Sequence, residues 1–389
     1  MTFLLSECTF FFFCFIRPLF STQTSIDDGK YINFSIFSFL EFSIFEFADA
    51  HSENTIKNSN KTNMTPTVHV ENLKKEFVTF QREAGFWNAV KSLVSRKYET
   101  KEAVRGISFD IKEGEIVGFV GPNGAGKSTT IKALAGVLYP TSGTVNVLGF
   151  VPWKERTKYV KHIGVVLGQK TQMAWDLPPV DTFYLNRDLY DIDKQEFETR
   201  LASMVALLGV ERVIKTPVHT LSLGERMRCE LIASLLHKPK LVFLDEPSIG
   251  LDVIAKEKLR EFILEINRTE KTTFIITSHD MQDIERLCKR LIIINHGVLI
   301  YDGSLERIKK EYITHKHIEV QTTEKIKPIQ LRGCTVLEQE GLKVKLEVDV
   351  TKQKVQRVID HVLKKYTLVD ILVSDPPIEE IIKQMFARK

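Results

Sequence analysis

The chain has 389 residues, enough for two domains, and its 43% hydrophobic and 27% charged content is ordinary for a soluble protein. Its formal net charge of +4 is too weak to indicate nucleic-acid binding, so no nucleic-acid partner is expected. The five cysteines are scattered and include no C-x-x-C pair, which argues against both a disulfide framework and a zinc site.

Residues 1–63 differ from the rest of the chain, because they hold 13 of its 25 phenylalanines and no valine. Three interpretations stay open: translated non-coding sequence with Met64 as the true start, a membrane anchor, or a disordered tail. Glu7 and Arg17 interrupt the apolar stretch Met1–Phe20, and no basic segment precedes it, unlike a signal peptide. No later stretch reaches the roughly 18 to 20 apolar residues of a membrane-spanning helix. Other chains would therefore have to supply any membrane crossing.

Strands and helices alternate from Val68 onward. TVHVENL, GISFDIK, GEIVGFVG, KLVFLDE and TTFIITSHD have the alternating or continuous apolar patterns of strands. Residues 127–138, Asp193–Leu208 and Leu221–Leu236 have helical spacing. RLIIINHGVLIYDG predicts a hairpin that turns at His296–Gly297. The alternation predicts an α/β fold with a largely parallel sheet in a domain over residues 64–304.

The pattern changes after about Leu305. HIEVQT, LKVKLEVDV and TLVDILVS predict strands, with a helix at about Lys352–Lys365 between them. A last helix is predicted at about Ile378–Phe386, after the helix-breaking residues DPP. Residues 305–389 are therefore predicted to form a small C-terminal α+β domain with no evident chemistry.

The segment GPNGAGKST at Gly121–Thr129 matches the phosphate-loop pattern G-x-x-x-x-G-K-[ST], between a predicted strand and a predicted helix. Glycines let backbone N–H groups close around phosphates, and the helix N-terminus adds partial positive charge. Lys127 is expected to reach the β- and γ-phosphates, and the Ser128 hydroxyl to bind Mg²⁺. The plainer interpretation is a glycine-rich turn before a helix. The residues expected to hold the nucleotide here are Gly121, Pro122, Asn123, Gly124, Ala125, Gly126, Lys127, Ser128 and Thr129.

Polar side chains lie at the ends of three predicted strands, KLVFLDE, TTFIITSHD and the short strand IGVVLG that precedes Gln169. Asp245 and Glu246 end an apolar strand, where α/β sheets bind ligands. Asp245 is a candidate Mg²⁺ ligand and Glu246 a candidate general base for an attacking water. His279 is a candidate contact for the γ-phosphate, and Gln169 for the metal or the water. The plainer alternatives are an acidic turn, a structural histidine and a polar loop residue.

The segment LSLGERMR contains a serine followed three residues later by a glutamate. This spacing predicts a capping box, in which Ser222 and Glu225 satisfy backbone N–H groups at a helix start. By itself the pattern requires nothing more than a capped helix.

Six segments occur in one order: GPNGAGKST, GQ at Gly168–Gln169, LSLGE, LDEP, SIGLD and SHD. Together they resemble the ATP-binding subunit of an ABC transporter over about residues 68–305. The resemblance implies a P-loop NTPase fold, with a RecA-like core, an antiparallel β subdomain and a helical subdomain at about residues 170–236. It also implies roles for Gln169 in the Q-loop, Asp252 in the D-loop and His279 as the switch histidine. GQKTQMAWDLP and the C-terminal α+β domain resemble, more narrowly, the ATPase subunits of bacterial ABC-2 type exporters.

The chain departs from the family pattern at several positions. Leu223 and Glu225 replace a glycine and a glutamine of the usual L-S-G-G-Q signature. Gln172 is a weaker rival to Gln169. Phe77 occupies the family's adenine-stacking position, but Tyr98 is an alternative, because an insertion follows Phe77. That insertion, at about Thr79–Arg96, contains GFWNAVKSLV and is either an amphipathic surface helix or a long loop.

The resemblance implies an ATPase that uses ATP and Mg²⁺ and works as a head-to-tail dimer with a second copy. Each ATP would lie between one subunit's phosphate loop and the other's Ser222 and Gly224, and closure would drive separate transmembrane permease subunits. The expected location is the cytoplasmic face of the cell membrane. A soluble ABC-type ATPase acting on ribosomes or DNA is the alternative, although the chain has one motif set and no long heptad stretch. LSLGE and SIGLD argue against a P-loop kinase, which has no role for either segment. The sequence does not identify the transported substrate.

Overall fold

The computed structural model of the chain describes residues 66–80, 98–168, 170–324 and 331–387. The interpretations of residues 1–63 and of the insertion's residues 81–96 lie outside the described residues, as does Gln169. The strands, in chain order, are β1 (Val68–Phe80), β2 (Tyr98–Ile111), β3 (Ile116–Val120), β4 (Ser142–Val147), β5 (Ile163–Leu167), β6 (Leu241–Asp245), β7 (Thr273–Thr277), β8 (Arg290–Asn295), β9 (Val298–Ser304), β10 (His315–Thr322), β11 (Cys334–Glu340), β12 (Lys343–Asp349) and β13 (Leu368–Ser374). The α-helices are α1 (Lys127–Leu134), α2 (Arg156–Tyr159), α3 (Pro179–Leu189), α4 (Lys194–Leu208), α5 (Leu223–Leu235), α6 (Val253–Glu270), α7 (Met281–Leu287), α8 (Leu305–Tyr312), α9 (Val355–Lys365) and α10 (Ile378–Ala387).

The central sheet has six strands in the order β5-β6-β7-β3-β8-β9. Strands β5, β6, β7, β3 and β8 are parallel, and β9 pairs antiparallel with β8. The turn between β8 and β9 has positive φ at His296 and Gly297, of 47° and 79°, as the predicted hairpin requires. The predicted α/β fold with a largely parallel sheet is confirmed, and the carboxyl ends of β3, β6 and β7 meet at one edge.

A second sheet packs beside the phosphate loop, with three antiparallel strands in the order β2-β1-β4. A Cβ atom on Gly126 would lie only 2.5 Å from the Ala103 carbonyl oxygen of β2. The first helix, α1, is shorter than the predicted 127–138, because Ala135 caps it and Gly136 then turns with φ of 71°.

Helices α3, α4 and α5 lie between β5 and β6 in the chain and form the predicted helical segment. Asp193 accepts from the N–H groups of Gln195 and Glu196 to cap α4, and Gly209 ends it with φ of 61°. Helix α3 is not among the predicted elements, because its sequence after Pro178 has no clear apolar period. Phe183 of α3 and Phe197 of α4 are fully buried in the core shared with the central sheet.

The C-terminal residues form a four-stranded antiparallel sheet in the order β11-β12-β10-β13. Strand β11 was not predicted, because most of its side chains are exposed and its sequence lacks a buried face. Helix α9 covers one face of the sheet, where a separate hydrophobic core forms. This core contains Ile318, Val320, Val344, Leu346, Val348, Val358 and Val362. The domain boundary at residue 305 stays a prediction.

The last helix, α10, leaves this sheet and returns to the main core. Ile378, Ile381, Ile382 and Met385 are 1% to 4% exposed and belong to the hydrophobic cluster that contains the central sheet. An ion pair between Lys316 Nζ and Asp375 Oδ1, at 2.7 Å, fixes the segment just before the helix. The C-terminal sheet is therefore attached to the main core through α8 and also through α10.

Candidate functional site

The phosphate loop joins β3 to α1 and needs glycine for close packing. A Cβ on Gly121 would lie 2.2 Å from the Ile294 carbonyl oxygen, so no larger residue fits without movement of β8. Gly126 has φ of 104° and caps α1 without any side-chain hydrogen bond to the helix. The first N–H groups of α1 are therefore free of a side-chain cap, as an anion site at a helix N-terminus requires.

Lys127 is 9% exposed and lies over its own loop. Its Nζ donates to the carbonyl oxygens of Gly121 at 2.7 Å and Pro122 at 3.1 Å. Burial lowers the pKa of Lys127, whereas the nearby charges of Glu246 and Asp245 raise it. The ammonium group thus lies between the loop and an acidic pair, as expected of a group that binds phosphate.

Asp245 ends β6, and Glu246 follows it in the left-handed region, with φ of 56°. This conformation costs roughly 1–2 kcal/mol for a residue with a Cβ atom. The backbone N–H of Glu246 donates to the carbonyl oxygen and the hydroxyl of Thr277, both at 3.0 Å. The surrounding structure therefore holds Glu246 in a strained conformation, as is common at functional sites.

His279 follows β7 and lies beside Glu246. Its Nδ1 is 3.2 Å from Glu246 Oε2, and its side chain is 66% exposed. The central sheet therefore brings the predicted residues Lys127, Asp245, Glu246 and His279 together at one edge. The Ser128 hydroxyl in the first turn of α1 and the Asp245 carboxylate are hard oxygen donors, which suits Mg²⁺ better than a softer metal. The donor set fits the predicted magnesium site.

The predicted capping box is present at the start of α5. Ser222 Oγ accepts from the Glu225 N–H at 3.2 Å, and Glu225 Oε2 accepts from the Ser222 N–H at 2.9 Å and its hydroxyl at 2.7 Å. These hydrogen bonds lower the pKa of Glu225. The capping box satisfies the backbone N–H groups of Ser222 and Glu225. The N–H groups of Leu223 and Gly224, which lie between them at the helix start, take no part in the box.

The start of α5 packs against the segment SIGLD. A Cβ on Gly250 would lie 2.3 Å from Leu223 Cδ2. The leucine that replaces the signature glycine at position 223 therefore fits because residue 250 has no side chain. Asp252 accepts from the Ala255 N–H at 2.7 Å and caps α6. Val253 and Ile254, which follow it, are 79% and 72% exposed. The structure thus places the segment LSLGE next to an exposed apolar surface.

Two predicted positions are not decided by the structure. Gln169 lies outside the described residues, and its rival Gln172 donates its side-chain amide to the Val165 carbonyl oxygen at 2.7 Å. Phe77 is 37% exposed, with Lys75 Nζ 5.2 Å from its ring centroid, and nothing is described of the Tyr98 side chain. Phe77 and Tyr98 both stay candidates for contact with adenine.

Sequence reasoning missed Glu230, a buried carboxyl group on α5. Its Oε1 accepts from the Thr171 hydroxyl and, at 2.9 Å, from the Gln172 N–H. Its Oε2 is buried and has no hydrogen-bond partner among the described residues. Burial raises the pKa of Glu230 from 4.5 to about 7, although the two hydrogen bonds oppose this. A glutamate within the apolar face of α5 was the one signal available in the sequence.

We expect Glu230→Gln to remove a pH dependence of stability. The unfolded chain loses the Glu230 proton near pH 4.5 and the folded chain only near pH 7, so the wild type loses stability as the pH rises through this window. A glutamine cannot ionise, so the variant gains up to about 3 kcal/mol relative to the wild type between pH 4.5 and 7.5. Urea unfolding at several pH values measures the difference. Glu261→Gln, at an exposed position of α6, is the control. If the free energy of unfolding depends on pH in the same way for wild type and Glu230→Gln, the raised pKa of Glu230 is contradicted.

Comparison with known proteins gives a consistent family. A profile described as ABC transporter matches residues 104–249. The chain is 32% identical to the ABC transporter ATP-binding protein NatA of Bacillus subtilis, over 55% of this chain and 88% of NatA. It is 36% identical to the linearmycin resistance ATP-binding protein LnrL of B. subtilis, over 54% and 67%. It is 30% identical to the bacitracin transport ATP-binding protein BcrA of Bacillus licheniformis, over 61% and 76%.

Solved structures agree in fold. An ATP-binding subunit of an ABC transporter superposes with a TM-score of 0.53 at 23% identity, over 63% of this chain and 93% of that one. A dimeric ATP-binding cassette, MJ0796, in a post-hydrolysis state with ADP and phosphate, superposes with a TM-score of 0.52 at 22% identity, over 61% and 98%. At these identities the likeness establishes the fold, which is that of a P-loop NTPase.

Proposed function

Because this chain belongs to the ABC transporter family as an ATP-hydrolysing subunit that powers transport, we propose that it works as a dimer and drives an ABC-2 type exporter. The observation that carries the proposal is the meeting of Lys127, Asp245, Glu246 and His279 at one edge of the central sheet. The transport and resistance functions in the names of BcrA and LnrL favour export over the alternative of action on ribosomes or DNA.

The phosphate loop and the N-terminus of α1 would bind the β- and γ-phosphates of ATP through backbone N–H groups, with the Lys127 ammonium adding a full charge. Mg²⁺ held by Ser128 and Asp245 would draw negative charge away from the phosphate oxygens. Glu246 would orient the attacking water and accept its proton as the bond to the γ-phosphorus forms and the bond to the ADP oxygen breaks. His279 would hold Glu246 Oε2 in position and offset charge on the transferred group. Gln169 would contact the metal or the water.

The partner that covers the bound nucleotide would be a second copy of the chain. Lys127, Ser128, Asp245 and Glu246 already supply the groups that phosphate, metal and water require within one subunit. Ser222 is exposed and, with Gly224, would face the γ-phosphate bound by the other copy. The exposed Val253 and Ile254, next to Asp252, are the kind of apolar surface that a closed dimer buries.

A separate membrane subunit would dock near the loop that follows Gln169. Trp175 and Leu177 in this loop are both 50% exposed, and Tyr184 and Leu185 of α3 are 38% and 39% exposed. The Arg226 guanidinium lies 5.7 Å from the Trp175 ring centroid, so the indole is held against α5. Among the described residues, no helix is both long and apolar enough to span a bilayer. Docking to a permease through this loop would hold the chain at the cytoplasmic face of the membrane.

We expect the double variant Trp175→Asp, Leu177→Asp to dissociate the chain from membranes. A central aromatic contact is typically worth at least about 2 kcal/mol, so affinity for the membrane subunit should fall by about 30-fold or more. Sedimentation of membranes from the native cell, followed by immunoblotting, measures the bound fraction. Leu264→Asp, at another exposed apolar position on α6, is the control and should leave binding unchanged. Recovery of the wild-type chain with ribosomes instead of membranes would contradict the proposed function.

A further inference from the structure

The hydroxyl of Thr277 lies between the two acidic residues of the site. Thr277 is the last residue of β7, is fully buried, and stands opposite Asp245 in the register of β6 and β7. Its Oγ1 is 2.5 Å from Asp245 Oδ1 and 3.0 Å from the Glu246 backbone nitrogen. One side chain therefore contacts both residues.

The direction of these hydrogen bonds follows from the groups involved. The Glu246 N–H can only donate, so the Thr277 oxygen accepts from it. The Thr277 hydroxyl has one proton, and it points to Asp245, since the Asp245 carboxylate can only accept. The result is an ordered chain from the Glu246 N–H, through the Thr277 hydroxyl, to Asp245 Oδ1.

This series of hydrogen bonds fixes the position of more than one atom. The Thr277 carbonyl oxygen also accepts from the Glu246 N–H at 3.0 Å, so Thr277 holds the strained backbone of Glu246 from two sides. Donation to Oδ1 sets the rotation of the Asp245 carboxylate and leaves Oδ2 for another ligand. The neighbouring Ser278 does not share this role, because its Oγ accepts from the Asp280 N–H.

We propose that Thr277 is a positioning residue, whose hydroxyl orients Asp245 toward the magnesium site and Glu246 toward the attacking water. The proposal rests on the roles proposed above for Asp245 and Glu246. Because Thr277 comes two residues before His279, one strand end sets the position of three side chains of the site. Partners that orient metal ligands usually change metal affinity or activity by about 10- to 100-fold when they are removed.

The test compares Thr277→Val, which keeps the shape but removes the hydroxyl, with Thr277→Ser, which keeps the hydroxyl. For the full chain we expect kcat of Thr277→Val to fall by about 10- to 100-fold and half-maximal Mg²⁺ activation to need more Mg²⁺. The affinity for trinitrophenyl-ATP in EDTA should stay within about twofold, because the phosphate loop is untouched. Thr277→Ser should keep kcat within about threefold. Thr277→Ala, compared with Thr277→Ser, replaces the valine variant if the latter does not fold.

The matched control is Thr273→Val at the opposite end of β7. Thr273 is equally buried, and its hydroxyl accepts from the Gly114 N–H at 2.9 Å, away from the acidic pair. It should lower the Tm but leave kcat unchanged. The proposal is overturned if Thr277→Val behaves like Thr273→Val, if Thr277→Ser loses as much activity as Thr277→Val, or if nucleotide binding in EDTA is lost. Glu246→Gln is measured in parallel, because normal hydrolysis by that variant would refute the proposed role of Glu246, on which this inference rests, independently of the result for Thr277.

Discussion

Replacing Glu246 with glutamine is expected to lower steady-state ATP hydrolysis by about 10²- to 10⁴-fold, the range contributed by a positioned general base. The amide keeps the size of the side chain and can still contact His279, but it cannot take a proton from water. ATP binding should persist, since Lys127 and the phosphate loop are unchanged. Phosphate release measures the rate, and size-exclusion chromatography with ATP should show a stable dimer.

Two variants sharpen this experiment. Glu306→Gln changes an exposed glutamate of α8 and should leave both the rate and the oligomeric state unchanged. His279→Ala removes the contact to Glu246 Oε2 and should slow hydrolysis without affecting nucleotide affinity. Hydrolysis by Glu246→Gln at the wild-type rate would show that another group activates the water.

Gly224→Asp should separate nucleotide binding from dimer closure. A carboxylate in the first turn of α5 suits the dipole of its own helix, so the monomer should fold normally. A Cβ at this position meets only the tip of the Leu251 side chain, at 3.1 Å, which can move. In the closed dimer the new charge would face the triphosphate held by the other copy, and such like-charge contacts cost several kcal/mol. Hydrolysis should therefore fall by about 100-fold or more.

The neutral variant Gly224→Asn is the matched control, because it has nearly the same size without the charge. It should lose less activity than Gly224→Asp. Placed in the Glu246→Gln background, Gly224→Asp should prevent the ATP-dependent dimer in size-exclusion chromatography, while trinitrophenyl-ATP still binds the monomer. A loss of monomer affinity would instead place Gly224 at its own subunit's nucleotide.

Local patterns predicted much of the fold and the site. The phosphate loop, the acidic pair after β6 and the Ser222–Glu225 capping box each depend on residues close in sequence, so their spacing alone specifies them. Helix α1 was predicted too long, because helical spacing continues through residues where Gly136 adopts a positive φ.

The remaining features depend on contacts between distant segments. Thr277 reads as one more residue of an apolar strand, and only the pairing of β6 with β7 places it against Asp245. Glu230 gains its significance from a loop almost 60 residues earlier in the chain, through Thr171 and Gln172. Strand β11 and the return of α10 are likewise set by tertiary packing, which a single sequence does not reveal.

The return of α10 to the main core has a consequence for biosynthesis. Its four buried side chains, each worth about 1.5–3 kcal/mol on burial, belong to the cluster that supports the central sheet, yet they follow every strand of that sheet in the chain. The core can close fully only after α10 has emerged from the ribosome, although the strands of the central sheet emerge earlier. A message truncated shortly before Ile378 would yield a subunit with every motif of the site but an exposed apolar groove, and such a product is a natural substrate for chaperones and proteases.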